Sequence, residues 1–330
     1  MSGWTPADLL PAVWLLLLAV ALDRAARRWA APIPAAAWAV AGAIVLALFA
    51  PSLLLGRVQA SLGLLTAFPP LHQLRDVAGP ANPLHGDVLF QLIPLQAVVR
   101  RFLEAGEWPL WNAWTGAGAP LLANAQAQVL QPLVWLSWLL PLPASLGVVA
   151  ALRVVVALAS TFLLLRYQGA GRYPALFGAA AYALSGFLIL YLGWPLANSA
   201  ALLPLAVYGT VRWMAERDRR SFVLLAMALA AVLVAGHPDT VLWVLISAGL
   251  FAVSRLPLGR GRGAGPEPAG PERAPGLRGF ARGAAGWVLA VAAAAALTAP
   301  VNLPAALQVP HSQRYAMTES REERLEAEIR

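Results

Sequence analysis

Eight apolar runs alternate with polar connections along this chain, and one connection is far longer than the rest. The runs lie near Leu9 to Leu22, Ile33 to Leu55, Ser145 to Leu165, Pro174 to Leu192, Leu196 to Val211, Phe222 to Ala235, Thr240 to Val253 and Ala284 to Leu307. A helix needs roughly 20 residues to cross about 30 Å of hydrocarbon; most runs approach that length, and the first, sixth and seventh are short. The pattern predicts an all-α integral membrane protein with about eight transmembrane helices. It divides the chain into two N-terminal helices (1–55), an outer loop (56–144), five further helices (145–256), a linker (257–283) and a last helix with its tail (284–330).

The long loop is expected to hold whatever chemistry there is, because loops carry function while the helices around them carry packing. From His85 to Pro141 it gathers Asp87, Gln91, Glu104, Glu107, Asn112, Asn124, Gln126, Gln128 and five Trp residues. Pro94 to Glu104 reads as a short helix, with Pro94 in its first turn and Gly106 as its C-terminal cap. At 100° per residue Leu95, Val98, Val99, Phe102 and Leu103 share one face and Gln96, Arg100, Arg101 and Glu104 the other, the pattern of a helix lying along a membrane surface. Val129 to Pro143 is apolar and Trp-rich but too short and Pro-broken to span, which predicts a re-entrant or interfacial segment.

Composition agrees with the membrane reading. With 59% hydrophobic and 12% charged residues in 330, and a mean hydropathy of +0.65, the chain has too little polar surface to cover a soluble globule. There is no Cys, which excludes a disulfide frame and a thiolate metal site. The net charge of +8 comes from Arg dispersed among short connections rather than gathered on one surface, so nucleic acid is not an expected partner. Arg24, Arg27 and Arg28, then Arg166 and Arg172, then Arg212, Arg217, Arg219 and Arg220, and finally Arg255 to Arg282 occupy alternate connections. The positive-inside rule puts these in the cytoplasm and residues 83–141 outside. The first run lacks a basic segment before it and a cleavage site after it, so it reads as a retained helix. Pro257 to Gly279 is a Gly, Pro and Arg linker expected to be disordered, and no internal repeat is visible.

Several strings have a familiar look. Gly86-Asp87 followed by Gln91 and Pro94, Gly106 to Asn112, Gly118 to Leu121, and Gln128 to Pro132 resemble the first outer loop of YfhO-type bacterial membrane proteins. Tyr182 to Phe187, Gly193-Trp194-Pro195 and Gly236-His237-Pro238 resemble that family's later motifs in the same order. The resemblance implies a C-type (GT-C) glycosyltransferase of the bacterial inner membrane. Its donor would be a polyprenyl-phosphate-linked sugar and its acceptor a cell-envelope glycan or lipid. The family pattern assigns the base to an Asp in the first large outer loop, here Asp87. The chain departs from the pattern in carrying two helices before that loop, Asp239 where Gln is expected, and fewer spans after it. A chain ending in the charged run Glu319 to Arg330 is expected to be a fragment, a split gene or one subunit of a pair, with a second subunit as candidate partner.

Each candidate has a rival structural reading. Asp87 would take the proton of an acceptor hydroxyl or hold a divalent metal, the one candidate cofactor; it would equally cap the following helix. Trp108 and Trp111 would stack on sugar faces, whereas Trp135 and Trp138 read as interfacial anchors. Asn112, Asn124, Gln126 and Gln128 would hydrogen-bond sugar hydroxyls, with Gln91 a further substrate-binding candidate, or these residues simply sit in a polar loop. Arg153, the one ionisable side chain inside a predicted span, would contact the carrier phosphate, pair with a loop carboxylate or snorkel to the interface. His237 would face the substrate or serve its own turn. The rival classes to an enzyme are a transporter or lipid flippase and a non-catalytic truncated scaffold; the polar loop and the lack of a repeat favour the enzyme.

Overall fold

The computed structural model describes residues 6–67, 73, 82–256 and 276–311. Among these residues it is all-α apart from one two-stranded ribbon. Helices α1 (Leu10–Trp29) and α2 (Ala35–Leu54) precede the loop, in which α3 (Ile93–Glu104), the strands β1 (Trp111–Asn112) and β2 (Ala119–Pro120) and the short α4 (Pro132–Trp135) follow one another. Then come α5 (Leu142–Tyr167), α6 (Arg172–Ala183), α7 (Gly186–Leu190), α8 (Leu196–Glu216), α9 (Arg219–Leu233), α10 (Pro238–Val253) and α11 (Leu277–Gln308).

The apolar runs of the sequence are recovered at these positions, and their packing follows from their composition. Helix α5 is apolar on every side and is buried on every side, with α1, α2, α6 and α8 around it. Helix α8 joins this group to α9, α10 and α11. Small residues let the backbones approach: a Cβ on Gly209 of α8 would lie 3.0 Å from the Leu225 Cα of α9. Asp218 starts α9 by accepting the Ser221 N–H at 2.8 Å, and the fourth run is broken into α6 and α7 at Ser185.

Four stretches among the described residues are long and apolar enough to cross a membrane: Ala35–Leu54, Leu142–Tyr167, Arg172–Leu190 and Leu277–His311. This corrects the expected eight. Asp23, Arg24, Arg27 and Arg28 charge the second half of α1, while Asn198, Ser199, Thr210 and Arg212 dilute α8. At 15 and 16 residues α9 and α10 extend only about 22 to 24 Å. The linker is also shorter than read, since α11 starts at Leu277 and includes Arg278 and Arg282; residues 257–275 and the tail from Ser312, with the Glu319 to Arg330 run, lie outside the described residues.

The loop makes a small core of its own from Leu95, Val99, Leu121, Ala127 and Val129, with Phe102, Leu103 and Trp138 against it. Helix α3 ends as its sequence predicts, on Gly106 at φ +72°, with Glu107 N–H bonded to the Phe102 carbonyl. Its orientation differs from the surface-lying one. Gln96 and Arg100 are buried along with Leu95 and Val99, and only Arg101 and Glu104 of the polar face remain exposed. After the ribbon the chain dips into the bundle: Gln131 is fully buried and donates its amide to the Ala231 carbonyl of α9 and the Val234 carbonyl just beyond its end. Irregular backbone at such depth is tolerated where protein satisfies it, as here.

Candidate functional site

A cavity of about 430 Å³ separates the loop from the bundle. Its walls come from α2, α3, the entry to the loop, the dipping segment, α5 and the α7–α8 turn. Much of the lining is apolar, including Phe49, Leu92, Leu146, Val149 and Ile189. Against this background Arg153, Arg100, His85, Gln96 and Gln128 stand out.

Arg153 projects from α5 eleven residues after its start, about 16 Å along the axis, and is 3% exposed. It donates Nε–H to Oδ1 of Asn198 at 2.8 Å, Nη1 to the Leu192 carbonyl, and Nη2 to Oε1 of Gln128 at 3.4 Å. The Asn198 amide in turn donates to Gln128 Oε1 at 2.7 Å and to the Ala235 carbonyl at 2.8 Å. These contacts use three of the five guanidinium N–H groups, which leaves two without a hydrogen-bond partner among the described residues. The snorkelling expectation is thereby overturned. The loop comes down to the arginine, and Gln128 makes that approach in a left-handed conformation, at φ 54°.

The second cation enters from the loop. Arg100, 8% exposed, reaches the Leu140 carbonyl at 2.6 Å and the Trp138 and Ser137 carbonyls at longer range, tying α3 to the dipping segment. Its Nε is buried without a partner among the described residues. Burial lowers its pKa, an effect that the charge of Glu104 partly opposes. His85 bonds through Nδ1 to the Ser61 hydroxyl at 2.8 Å, and its buried Nε2 has no partner among the described residues. Among those residues neither Arg153 nor Arg100 has a carboxylate partner, so the expected ion pair with a loop carboxylate is absent there. A buried charge costs several kcal/mol unless it is compensated, and dipoles supply the compensation here.

The hydrogen-bond network around Arg153 draws on three separate parts of the sequence: Gln128 before Pro132 and Leu192 before Gly193-Trp194-Pro195, which meet Arg153 itself, and Ala235 before Gly236-His237-Pro238, which accepts from Asn198. A fourth, Gly86-Asp87, leads into Val88, whose Cγ atoms would lie 3.2 and 3.3 Å from a Cβ on Gly193. Residues 73–235 match the family model described as bacterial membrane protein YfhO. This segment belongs to the YfhO family. No curated protein and no solved structure matches the chain.

Within the YfhO segment, Arg153 lines the cavity, as does Gln128 of the loop amides weighed from the sequence. Asp87 is exposed, one residue from Val88 and two from His85, both in the cavity wall. It makes no capping bond to the π-helical turn Val88–Leu92 that follows, so the capping alternative is not realised. Gln91 is exposed and donates to Gln126. Trp108 and Trp111 are exposed on and beside the ribbon, and Trp111 lies across Gly118, where a Cβ would come within 2.4 Å of its Nε1. Asn112 is buried and committed to its turn, donating to Thr115 and accepting from Trp114 N–H. His237 caps α10, its Nδ1 accepting from Thr240 N–H at 3.4 Å, as its structural reading had it. Among the described residues no three His, Cys, Asp or Glu converge as a metal group.

Arg100, His85 and Asn198 were not singled out as site residues from the sequence, whereas Gln128 was weighed there only as one of several loop amides for sugar hydroxyls. Arg100 was assigned to the wet face of its helix, because amphipathic periodicity identifies two faces without saying which one meets protein. For Asn198, an amide within an apolar run beside a motif was the available signal.

Proposed function

We propose that this YfhO-family chain is a membrane glycosyltransferase that takes a sugar from a polyprenyl-phosphate donor in the inner membrane and passes it to a cell-envelope acceptor. The observation that carries the reading is the pair of buried arginines, without carboxylate partners among the described residues, in a largely apolar cavity that Gln128 and Gly193 of the motif strings help to line. In this reading the carrier's phosphate lies against the free N–H groups of Arg153, with Arg100 and His85 adding positive charge and a further donor. Phe49, Leu92 and Leu146 face the first prenyl units.

Asp87 accepts the acceptor's hydroxyl proton; the oxygen then attacks the anomeric carbon, and the bond from that carbon to the phosphate oxygen breaks. The electron pair leaves on the lipid phosphate, whose growing charge the arginines stabilise. Trp108 and Trp111 offer exposed ring faces to the acceptor, Gln91 a hydrogen-bonding amide near Asp87, and Asn112 and His237 hold the turns that present these surfaces. A divalent metal and a second subunit are further candidates, with Asp87 the carboxylate available to the former. The test is binding and transfer of a labelled polyprenyl-phosphate sugar in proteoliposomes. Donor binding by a folded Arg153→Leu, Arg100→Leu double variant at the wild-type level would remove the reading.

A further inference from the structure

At the far end of α5 from the loop junction a second cavity, of about 640 Å³, opens between the α1–α2 turn and the start of α6. Three arginines line it: Arg27 from α1, Arg166 from the last turn of α5 and Arg172 from the first residue of α6. Its remaining walls are Ala31 to Ala35, Phe162, Leu163 and the rings of Tyr167 and Tyr208, which meet edge to face at 5.7 Å. Three of the four membrane-length stretches have an end here: Ala35–Leu54 begins, Leu142–Tyr167 ends and Arg172–Leu190 begins. The cavity therefore sits where apolar helix gives way to polar connection, the depth of lipid headgroups.

The charges in it are unevenly matched. Arg27 is paired with Asp23 at 2.6 Å, Arg166 donates to the Ala170 carbonyl at 2.6 Å, and Arg172 has no ion pair or side-chain hydrogen bond among the described residues. Two cations thus lack a carboxylate among the described residues, beside an apolar wall of Phe162, Leu163, Ile33 and Pro34. Basic pockets between membrane helices accept anionic lipid headgroups, since the phosphate meets the guanidinium groups while the chains run along apolar surface.

We propose that this cavity binds the headgroup of an anionic phospholipid, its phosphate on Arg166 and Arg172 and its acyl chains along α2, α5 and α6. The site lies at the other end of α5 from the sugar-transfer cavity and does not depend on that assignment. All three arginines are exposed, so replacing Arg166 and Arg172 leaves no buried group unpaired.

The experiment is thermal unfolding of the delipidated full chain in a neutral detergent, titrated separately with phosphatidylglycerol, phosphatidylcholine and inorganic phosphate. Phosphatidylglycerol is expected to raise Tm with saturation, and phosphatidylcholine and inorganic phosphate are expected not to. Arg166→Gln with Arg172→Gln should weaken the phosphatidylglycerol midpoint by on the order of tenfold or more. The same change at Arg219 and Arg220, exposed arginines outside the cavity, should leave it unchanged. An equal response to phosphatidylcholine, an equal response to inorganic phosphate, or an unaltered midpoint in the Arg166, Arg172 variant with its lipid-free Tm preserved would each overturn the proposal.

Discussion

Arg153 of α5 donates its Nε–H to the side-chain oxygen of Asn198 on α8 at 2.8 Å, and both side chains are buried. The bond joins the two most extensively packed helices, and because Asn198 also holds Gln128, it fixes the distance between bundle and loop. The cation is positioned by Gln128 and Leu192 directly, and by the Ala235 carbonyl through Asn198, without being neutralised by them. Such a group is suited to an anion brought from outside.

The network separates charge from geometry. Arg153→Lys keeps the charge but forms fewer bonds with Asn198, Leu192 and Gln128, and it loses the planar fork that matches phosphate. Donor-dependent sugar transfer is expected to fall at least about tenfold, with a smaller change in Tm. Asn198→Leu leaves the Arg153 Nε–H unpaired and should cost about 1–3 kcal/mol in thermal unfolding. A Lys variant with undiminished transfer would assign the arginine to packing alone.

Asp87 makes no capping bond, which sharpens its test. Asp87→Asn and Asp87→Ala should both unfold within a degree or two of wild type, whereas a lost cap would cost about 1 kcal/mol. Both should abolish transfer of labelled sugar in proteoliposomes. Normal transfer by the Asn variant would show that no proton passes through this carboxylate.

Gly236 lies at φ +93°, where a Cβ would meet Gln128 Cγ at 2.8 Å and both the Ala125 carbonyl oxygen and Pro195 Cβ at 3.0 Å. Gly236→Ala should therefore destabilise the protein by about 1–3 kcal/mol and push Gln128 away from Arg153. Differential scanning fluorimetry reads the first effect, and the donor affinity of the surviving folded protein reads the second. An unchanged Tm would mean that the loop is not held as tightly as these contacts require.

Asp218 supplies a pH dependence with a definite sign. Its bonds from the Ser221 backbone and side chain hold its pKa below the ordinary carboxylate value. A carboxylate lowered on folding stabilises fully above its unfolded pKa, and that stabilisation disappears as pH falls through the folded value. The wild type should exceed Asp218→Ala in Tm at pH 7, the lost cap costing about 1 kcal/mol, and the gap should close as pH falls through the folded pKa, below the ordinary carboxylate value. A gap that persists at the acid end would point to packing rather than charge.

The Arg distribution predicts sidedness. Residue 117 in the loop should face outward and residue 264 in the Arg-bearing linker should face the cytoplasm. The chain contains no Cys, so Ala117→Cys and Ala264→Cys can be compared directly with an impermeant maleimide on intact cells. Labelling at 264 and not at 117 would invert the arrangement.

Much of the architecture was legible in the sequence because membrane helices are specified locally. Hydrophobic run length located α2, α5 and α11, Pro94 and Gly106 bounded α3, and two of the motif strings, at Gln128 and Gly193, supply residues to the cavity wall. What remained undetermined needed the packing. The run lengths suggested eight crossings, but length and charge within the folded helices leave four that meet the requirement. Periodicity divided α3 into two faces without revealing that Gln96 and Arg100 would turn inward, because that choice depends on what the loop folds against. Arg153 was conspicuous as a charge in an apolar run, but its partners lie 25, 39 and 45 residues away. No local pattern encodes such contacts. A buried polar group is satisfied by whichever elements the tertiary fold brings within hydrogen-bonding distance, and here these are the loop, the α7–α8 turn and α8.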